Sequence, residues 1–236
     1  MRVAVVTGVG RRAGIGFAIA QRLLDDGYGV LAHAWPEAEA TVRNELGPDV
    51  AWIEADFADP EAPARVIDAA VAAYGGVDVL VANHATDSPY ELHEVTAAEL
   101  DRCWAVNARA VVLLMQAFAA RAREGGSAIL FTSGQHLGAM PGELAYAITK
   151  GAVHQMTRTL ADAAAARGIT VNAINPGPVD TGWPSDELRE QLRPAFPAGR
   201  WGQPADIAPV VAWLASPDSA WVTGQVIDVE GGFRRG

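Results

Sequence analysis

The chain has 236 residues, half of them hydrophobic, and a formal net charge of −10 at pH 7. This negative charge disfavours nucleic acid and anionic membranes as partners, and the single cysteine, Cys103, excludes an internal disulfide framework and a thiol-rich metal site. No resident metal is expected, and a chain of this length typically folds as one domain, here residues 1–236.

The first predicted element is a strand that begins almost at the N-terminus. Its apolar run at residues 3–6 is too short for a secretory signal and has no cleavage-type pattern after it. The longest apolar segment, residues 110–120, is interrupted by Gln116, so a core or interface helix is expected there and not a membrane span. We therefore expect a cytoplasmic protein.

Short Val- and Ile-rich runs alternate with longer segments of helical period along the chain. Strands are predicted at residues 2–7, 29–33, 50–54, 77–82, 127–132, 170–174 and 225–229. Helices are predicted at residues 16–26, 37–46, 60–74, 96–123, 145–167 and 205–215. This alternation predicts an α/β fold with a doubly wound, Rossmann-type parallel sheet. The proline-rich segment 176–201 is predicted to be an irregular loop that follows the sixth strand and covers a ligand.

A glycine-rich turn joins the first strand to the first helix. It reads Thr7-Gly8-Val9-Gly10-Arg11-Arg12-Ala13-Gly14-Ile15-Gly16. Glycines permit a tight turn and let backbone amides approach a pyrophosphate at the helix N-terminus. The turn is by itself weak evidence, but its place between strand and helix favours a dinucleotide site.

The residues near this turn also bear on the cofactor. Enzymes that use NAD typically carry an acidic residue near the end of the second strand, and this sequence has Ala34-Trp35 there with no acid before Glu37. Arg11 and Arg12 lie within the glycine turn and are either solvated or suited to bind a 2′-phosphate. We expect NADP(H) in preference to NAD(H).

A second group of polar residues follows the fifth strand. Tyr146 and Lys150 project from one face at the start of a predicted helix, and Ser133 closes the preceding strand. A nearby ammonium and a cationic nicotinamide would favour the phenolate, so we expect a lowered pKa for Tyr146. The Ser133 hydroxyl could orient a substrate oxygen.

With these residues the sequence resembles the short-chain dehydrogenase/reductase family, in particular its 3-oxoacyl-carrier-protein reductase-like members, over essentially its whole length. The matching residues are Thr7-Gly8 with Gly14-Ile15-Gly16, Asp56, Ala82-Asn83-His84-Ala85, Asn107, Ser133, Tyr146-Ala147-Ile148-Thr149-Lys150, Asn175-Pro176-Gly177, Val222-Thr223-Gly224-Gln225 and Glu230-Gly231-Gly232.

The resemblance implies a role for each matched residue. Tyr146 would be the general acid or base, Ser133 would polarise the carbonyl, and Lys150 would bind the nicotinamide ribose. Asn107 would hold a water that links Lys150 to solvent, and Asp56 would contact adenine. The complete set of expected cofactor contacts is Gly8, Gly10, Arg11, Arg12, Gly14, Ile15, Gly16, Asp56, Phe57, Asn83, Tyr146, Lys150, Pro176, Gly177, Val179 and Thr181.

Two features depart from the family pattern. The glycine-rich loop holds more residues between Gly8 and Gly14 than is common, which leaves the phosphate contacts open. His84 stands where the family has a small residue, and it either packs structurally or reaches the adenosine ribose.

Three functions remain in competition at the sequence level. The first is an NADPH-dependent reductase of a ketone, a 3-oxoacyl group or a secondary-metabolite carbonyl. The second is an NAD-dependent alcohol dehydrogenase, and the third is a non-catalytic nucleotide sensor or scaffold. The small apolar residues of the helices at 96–123 and 145–167 also predict a homo-oligomer, either a tetramer or a dimer.

Overall fold

A computed structural model describes residues 1–234 of the chain and places seven strands in one sheet. The strands are β1 (Val3–Thr7), β2 (Gly29–Ala34), β3 (Ala51–Glu54), β4 (Val77–Ala82), β5 (Ala122–Phe131), β6 (Thr170–Asn175) and β7 (Val226–Asp228). Their order is β3-β2-β1-β4-β5-β6-β7, and every neighbouring pair is parallel. The doubly wound sheet predicted from the sequence is confirmed.

Eight α-helices cover the two faces of this sheet. They are α1 (Ile15–Asp25), α2 (Ala40–Leu46), α3 (Ala62–Tyr74), α4 (Ala97–Cys103), α5 (Ala110–Arg121), α6 (Leu144–Ala164), α7 (Asp186–Leu192) and α8 (Pro204–Ala215). One hydrophobic cluster lies between the sheet and α3, α5 and α6, and a second lies between the sheet and α1, α2 and α8. Because both faces are covered, β1 and β2 are buried at every residue.

The predicted helix at residues 96–123 is divided into three parts. A π-helical turn, Trp104–Arg109, separates α4 from α5, and it contains Asn107. By length and composition the combined helix Ala97–Arg121 could cross a membrane, but most of it is buried inside the protein, as a core helix would be. The wide turn is of interest because π-helical turns are frequent at functional sites.

The segment predicted to be irregular, residues 176–201, contains a helix that the sequence analysis missed. In α7 the Ser185 hydroxyl accepts a hydrogen bond from the Leu188 amide at 3.2 Å, and Asp186 and Glu187 occupy the first turn. A serine cap followed by acidic residues is a helix-start signal, and the surrounding prolines obscured it. We call residues 176–201, including α7, the lid.

Strand order reverses at β1, which pairs with β2 on one side and with β4 on the other. In sheets of this type, ligands bind at the carboxyl ends of the strands next to such a switch point. Gly8 follows β1, Asn83 follows β4 and Ser133 follows β5 at this edge. The fold therefore brings the candidate residues to one crevice.

Candidate active site

The glycine turn is built against the end of β4. The side-chain amide of Asn83 donates to the carbonyls of Thr7 at 3.1 Å and Gly8 at 3.2 Å, and so holds the turn in place. A Cβ on Gly16 would overlap the carbonyl oxygen of Gly8, so only glycine lets the start of α1 approach β1 this closely. The side chain of Asn83 therefore acts on the turn, and Ile15 begins α1 directly above it.

The N-terminus of α1 has the donors that a pyrophosphate needs. Its N-cap, Gly14, provides no side-chain cap, and no acidic residue lies in the first turn. The amide groups that begin a helix have no acceptor within the helix and carry partial positive charge. The turn, Gly10 included, therefore fits the diphosphate of a dinucleotide.

The two arginines of the turn lie in different surroundings. The Arg12 guanidinium forms an ion pair with Glu45 and lies 4.8 Å above the ring centroid of Phe17. Its backbone amide donates to Glu39 at 2.9 Å. Arg11 is exposed.

His84 has a structural position. It is fully buried, with Nδ1 at 2.8 Å from the Thr7 hydroxyl and Nε2 at 3.0 Å from the Val106 carbonyl. Since a carbonyl can only accept, Nε2 carries the proton and Nδ1 accepts from Thr7. Burial lowers the pKa of His84 well below 6.5, so the ring is neutral. It thereby joins the end of β1 to the π-helical turn next to Asn107.

The side chain of Phe57 is also turned inward. Its ring stacks on His33 at 4.1 Å and contacts His84 at 4.3 Å, so only its backbone is left to reach a ligand. Asp56 is half-buried, and its Oδ1 accepts a hydrogen bond from the Ala58 amide at 2.8 Å.

Three predicted catalytic residues meet at the end of β5. The Ser133 hydroxyl lies close enough to the Tyr146 phenol to lower its pKa. The Lys150 ammonium lies 5.6 Å from the centroid of the Tyr146 ring and donates to the Phe131 carbonyl at 2.8 Å. Thr132 donates to the Lys150 carbonyl at 2.8 Å and so ties this part of α6 to β5. Among the described residues Lys150 has no second hydrogen-bond acceptor, which leaves donors for ribose hydroxyls.

Asn107 supports this group from the other side of α6. Its side-chain amide donates to the Thr149 hydroxyl at 3.1 Å, and Thr149 in turn donates to the Tyr146 carbonyl at 2.9 Å. The same side chain exchanges two hydrogen bonds of 2.8 Å with the backbone of Thr86. The structure thus brings all four predicted catalytic residues together through direct or one-residue links.

The expected lowering of the Tyr146 pKa is wrong for the protein alone. Burial, followed by the charges of Glu143 and Asp87, raises the pKa of Tyr146 to about 12, against a smaller opposing effect of the hydrogen bond with Ser133. Burial lowers the pKa of Lys150 to about 8. The phenol therefore holds its proton at neutral pH.

The exit of β6 is held by residues from the end of the chain. Asn175 accepts from the Gly177 amide at 3.1 Å and donates to Asp228 at 2.8 Å and Glu230 at 3.1 Å. Gly177 has a φ of +61°, and a Cβ there would overlap Glu230. Only glycine fits, so the turn at Pro176 and Gly177 is fixed against the C-terminal segment.

The lid continues from this turn. Val179 is buried and bridges to Gly202, and its carbonyl accepts from the Trp183 indole at 3.0 Å, while Thr181 is partly exposed. The C-terminal segment contacts the far end of the lid, where the ring centroids of Phe233 and Phe196 are 4.7 Å apart and the Arg234 amide donates to the Ala195 carbonyl at 2.9 Å.

Sequence reasoning missed the pair formed by His136 and His154. Their ring centroids are 4.6 Å apart, and Nε2 of His136 lies 3.4 Å from Asp228. No spacing along the chain indicates the contact. It forms because the loop after Ser133 folds back over α6.

Comparisons with known proteins agree with this site. The family model described as "Enoyl-(Acyl carrier protein) reductase" matches residues 8–234. The chain belongs to the short-chain dehydrogenase/reductase family. It is therefore an oxidoreductase that uses a nicotinamide cofactor.

Individual relatives span the whole length of this family member. An uncharacterised oxidoreductase of Bacillus subtilis, YjdA, is 38% identical, with 100% of this chain and 98% of the relative covered. The hydroxynaphthalene reductase-like protein Arp2 of Metarhizium brunneum is 35% identical, with 98% and 94% covered. A blue fluorescent protein from a metagenomic library, solved in complex with NADPH, is 35% identical with a TM-score of 0.91, and 99% and 98% of the two chains are covered.

Proposed function

We propose that the protein reduces the ketone of a small hydroxylated molecule with NADPH, with Tyr146 as the proton donor. The observation that carries this proposal is the placement of the Tyr146 phenol next to Ser133 and to the buried Lys150 ammonium. A nucleotide-sensing scaffold would have no chemical need for this arrangement, so the non-catalytic alternative is set aside.

The roles of these residues follow from their chemistry. When bound, the nicotinamide supplies the hydride that adds to the carbonyl carbon. The Tyr146 hydroxyl donates its proton to the carbonyl oxygen, and the Ser133 hydroxyl polarises the same oxygen and orients it. Lys150, whose pKa burial lowers to about 8, is mainly protonated at neutral pH and supports the phenolate that remains. Asn107 fixes the helix turn that carries both Tyr146 and Lys150.

The protonation state of the phenol is compatible with the reductive direction. A pKa of about 12 keeps Tyr146 protonated over the whole physiological range, as a carbonyl reduction requires at its start. An alcohol oxidation would need the phenolate instead. The NAD-dependent alcohol dehydrogenase remains the second candidate, because a bound cationic nicotinamide would favour that phenolate.

NADPH is favoured over NADH by two observations. No acidic side chain occupies the residue after β2, where Trp35 stands. The neighbour solved with NADPH shares 35% of its sequence with this chain over almost the whole length.

The substrate class is supported by charge near the reacting oxygen. Glu143 and Asp87 both act electrostatically on Tyr146, which places two carboxylates near the reacting oxygen. Carboxylates accept hydrogen bonds from hydroxyl groups. The name of the Metarhizium brunneum relative points to a hydroxylated aromatic substrate, and the half-exposed Trp183 in the lid offers an apolar surface for one. We therefore favour a secondary-metabolite ketone over a 3-oxoacyl group.

We further propose that the enzyme acts in the cytoplasm as a homo-oligomer. The exposed indoles of Trp213 and Trp221 support association between copies.

The test is the consumption of NADPH against hydroxylated aromatic ketones, simple ketones and 3-oxoacyl thioesters, followed by its absorbance. Tyr146→Phe is expected to lower kcat by roughly 10²–10⁴-fold and to leave NADPH binding, measured by fluorescence, within a few-fold. Tyr90→Phe, in the adjacent loop whose carbonyl accepts from Leu144, is the matched control and should keep full activity. Full turnover by Tyr146→Phe would remove the phenol from the reaction.

A further inference from the structure

The end of β2 holds an indole in a position that determines cofactor choice. In dinucleotide-binding sheets, the residue about 20 positions after the glycine turn contacts the 2′ position of the adenosine ribose. Trp35 directly follows β2 at this point and is 38% exposed. A side chain that packs on this indole therefore lies next to the expected position of the 2′ group of the adenosine ribose.

That side chain comes from α4. The guanidinium carbon of Arg102 lies 5.1 Å from the centroid of the Trp35 ring, within the range of a cation–π contact. Its Nη1 lies 3.7 Å from Oδ2 of Asp56, which is longer than a hydrogen bond. Within residues 1–234 the Arg102 guanidinium therefore makes no hydrogen bond, and it lies between the Trp35 indole and the Asp56 carboxylate.

The carboxylate of Asp56 does not close this position to an anion. Its Oδ1 is already bound to the Ala58 amide at 2.8 Å, and its Oδ2 faces Arg102. Both contacts offset its negative charge. The guanidinium keeps its planar fork, which matches two oxygens of a phosphate.

The arginines of the glycine turn are less suited to the same role. The guanidinium of Arg12 is paired with Glu45 and covers Phe17, and it lines an open groove of about 800 Å³ that α8 also borders. Binding a phosphate would first break that ion pair. Arg11 is exposed, so ordering its side chain would cost conformational entropy.

We propose that Arg102, held over Trp35 beside Asp56, binds the 2′-phosphate of NADP(H) and sets the preference for that cofactor. This inference rests on the proposed use of NADPH and assigns the recognition to α4, 67 residues after Trp35 in the sequence. Trp35 acts here as a positioning residue.

The experiment measures binding by calorimetry and needs no turnover. The probes are adenosine 2′,5′-bisphosphate and adenosine 5′-monophosphate, which differ only in the 2′-phosphate, on the full chain. Arg102→Gln is expected to weaken the bisphosphate at least ~10-fold and to leave the monophosphate within about twofold. Arg12→Gln and Arg11→Gln test the competing arginines, and the assignment expects each of them to leave the ratio of the two affinities unchanged.

A second variant keeps the test decisive if Arg102→Gln does not fold. Trp35→Leu removes the ring that holds the guanidinium, and we expect a smaller loss of affinity, confined to the bisphosphate. Equal weakening of both probes, or loss of the preference in Arg12→Gln or Arg11→Gln, would overturn the assignment.

Failure of the inference and of the proposed cofactor give different results. A wild-type protein that binds the two probes equally would refute the NADPH proposal and this inference with it. A wild-type protein that prefers the bisphosphate, with the preference intact in Arg102→Gln and Trp35→Leu, would refute the inference alone.

Discussion

The reactivity of Tyr146 depends on which charges lie near its hydroxyl. Lys150 lies 5.6 Å from the ring centroid, while burial and the carboxylates of Glu143 and Asp87 raise the pKa of Tyr146 to about 12. Glu143 is itself half-buried, and burial together with Asp87 raises its own pKa. Glu143, three positions before Tyr146, thus raises the pKa of the proposed proton donor.

Glu143→Gln is expected to shift the pH profile of the reaction. Removing its negative charge lowers the pKa of Tyr146, so phenolate forms at lower pH. The rising limb of alcohol oxidation against pH should therefore move to lower pH, measured as kcat/KM with the secondary alcohol product and NADP⁺.

Two further variants calibrate that shift. Asp87→Asn should move the limb in the same direction by less, because its effect on Tyr146 is smaller. Glu91→Gln, on an exposed carboxylate of the same loop, should not move it. A Glu143→Gln profile that coincides with the wild type would show that another group sets this limb.

The sequence predicts the site residues that lie close to one another along the chain. Tyr146 and Lys150 share one helix face, and Ser133 ends the strand before it, so their meeting follows from the fold. The approach of Arg102 to Trp35 could not be predicted, because it depends on how α4 packs over the sheet edge and on two rotamers. The sign of the Tyr146 pKa shift could not be predicted either, because it depends on how deeply the fold buries that side chain.

At the scale of elements, the sequence predicts strands better than interruptions. Each buried strand is a run of apolar residues and was found within a few residues of its predicted bounds, except β5, which begins at Ala122 and bulges opposite Asp78 before Ser127. The π-helical turn at Trp104–Arg109 keeps an apolar pattern and so reads as continuous helix. Its presence follows from side-chain bonds of Asn107 that involve distant residues.

The ends of three strands are tied together by a buried stack of rings. His33 from β2 lies on Phe57, which follows β3, and Phe57 contacts His84, which follows β4. Nε2 of His33 lies 3.1 Å from the Ala55 carbonyl, and burial lowers the pKa of His33 to about 4. Both histidines are folded as neutral rings, so protonation opposes the packing at the base of the crevice.

We expect stability to fall as the pH decreases through the window from about 6.5 to about 4. In the unfolded chain His33 binds a proton as the pH falls below about 6.5, whereas folded His33 does not. The free energy of unfolding therefore falls by about 1.4 kcal/mol for each pH unit within this window. Above this window the contribution is complete.

The measurement is the free energy of unfolding in urea at several pH values. His33→Gln should be less stable in absolute terms but should show a shallower pH dependence. His93→Gln, on an exposed imidazole, should retain the wild-type slope. Parallel slopes for the wild type and His33→Gln would contradict the assignment.

At the scale of the whole molecule, the alternation of strand and helix was sufficient to predict the parallel sheet. Surface packing was not predictable to the same degree. The Trp221 indole is 99% exposed in the single chain, although tryptophan is usually well buried in folded proteins. Trp213 on α8 is also exposed. Burial of an aromatic side chain removes 150–250 Å² from water, which makes an uncovered indole costly.

The exposed indoles predict where copies of the chain meet. Trp221→Lys should reduce the molar mass measured by light scattering after gel filtration. An association that covers residue 221 would bury an unpaired ammonium group, and this burial is unfavourable. Leu92→Lys, at a similarly exposed apolar residue in the loop before α4, should leave the mass unchanged. A monomeric wild-type protein would refute the proposed homo-oligomer.

The C-terminal segment, residues 230–234, contacts both ends of the lid. Glu230 fills the space that a side chain at Gly177 would need, and Phe233 and Arg234 contact the opposite end of the lid. Removing a few C-terminal residues, or fusing a purification tag or reporter there, would disturb the lid, although the two segments are separated in the sequence. Met1 is largely exposed, so engineering is better placed at the other terminus.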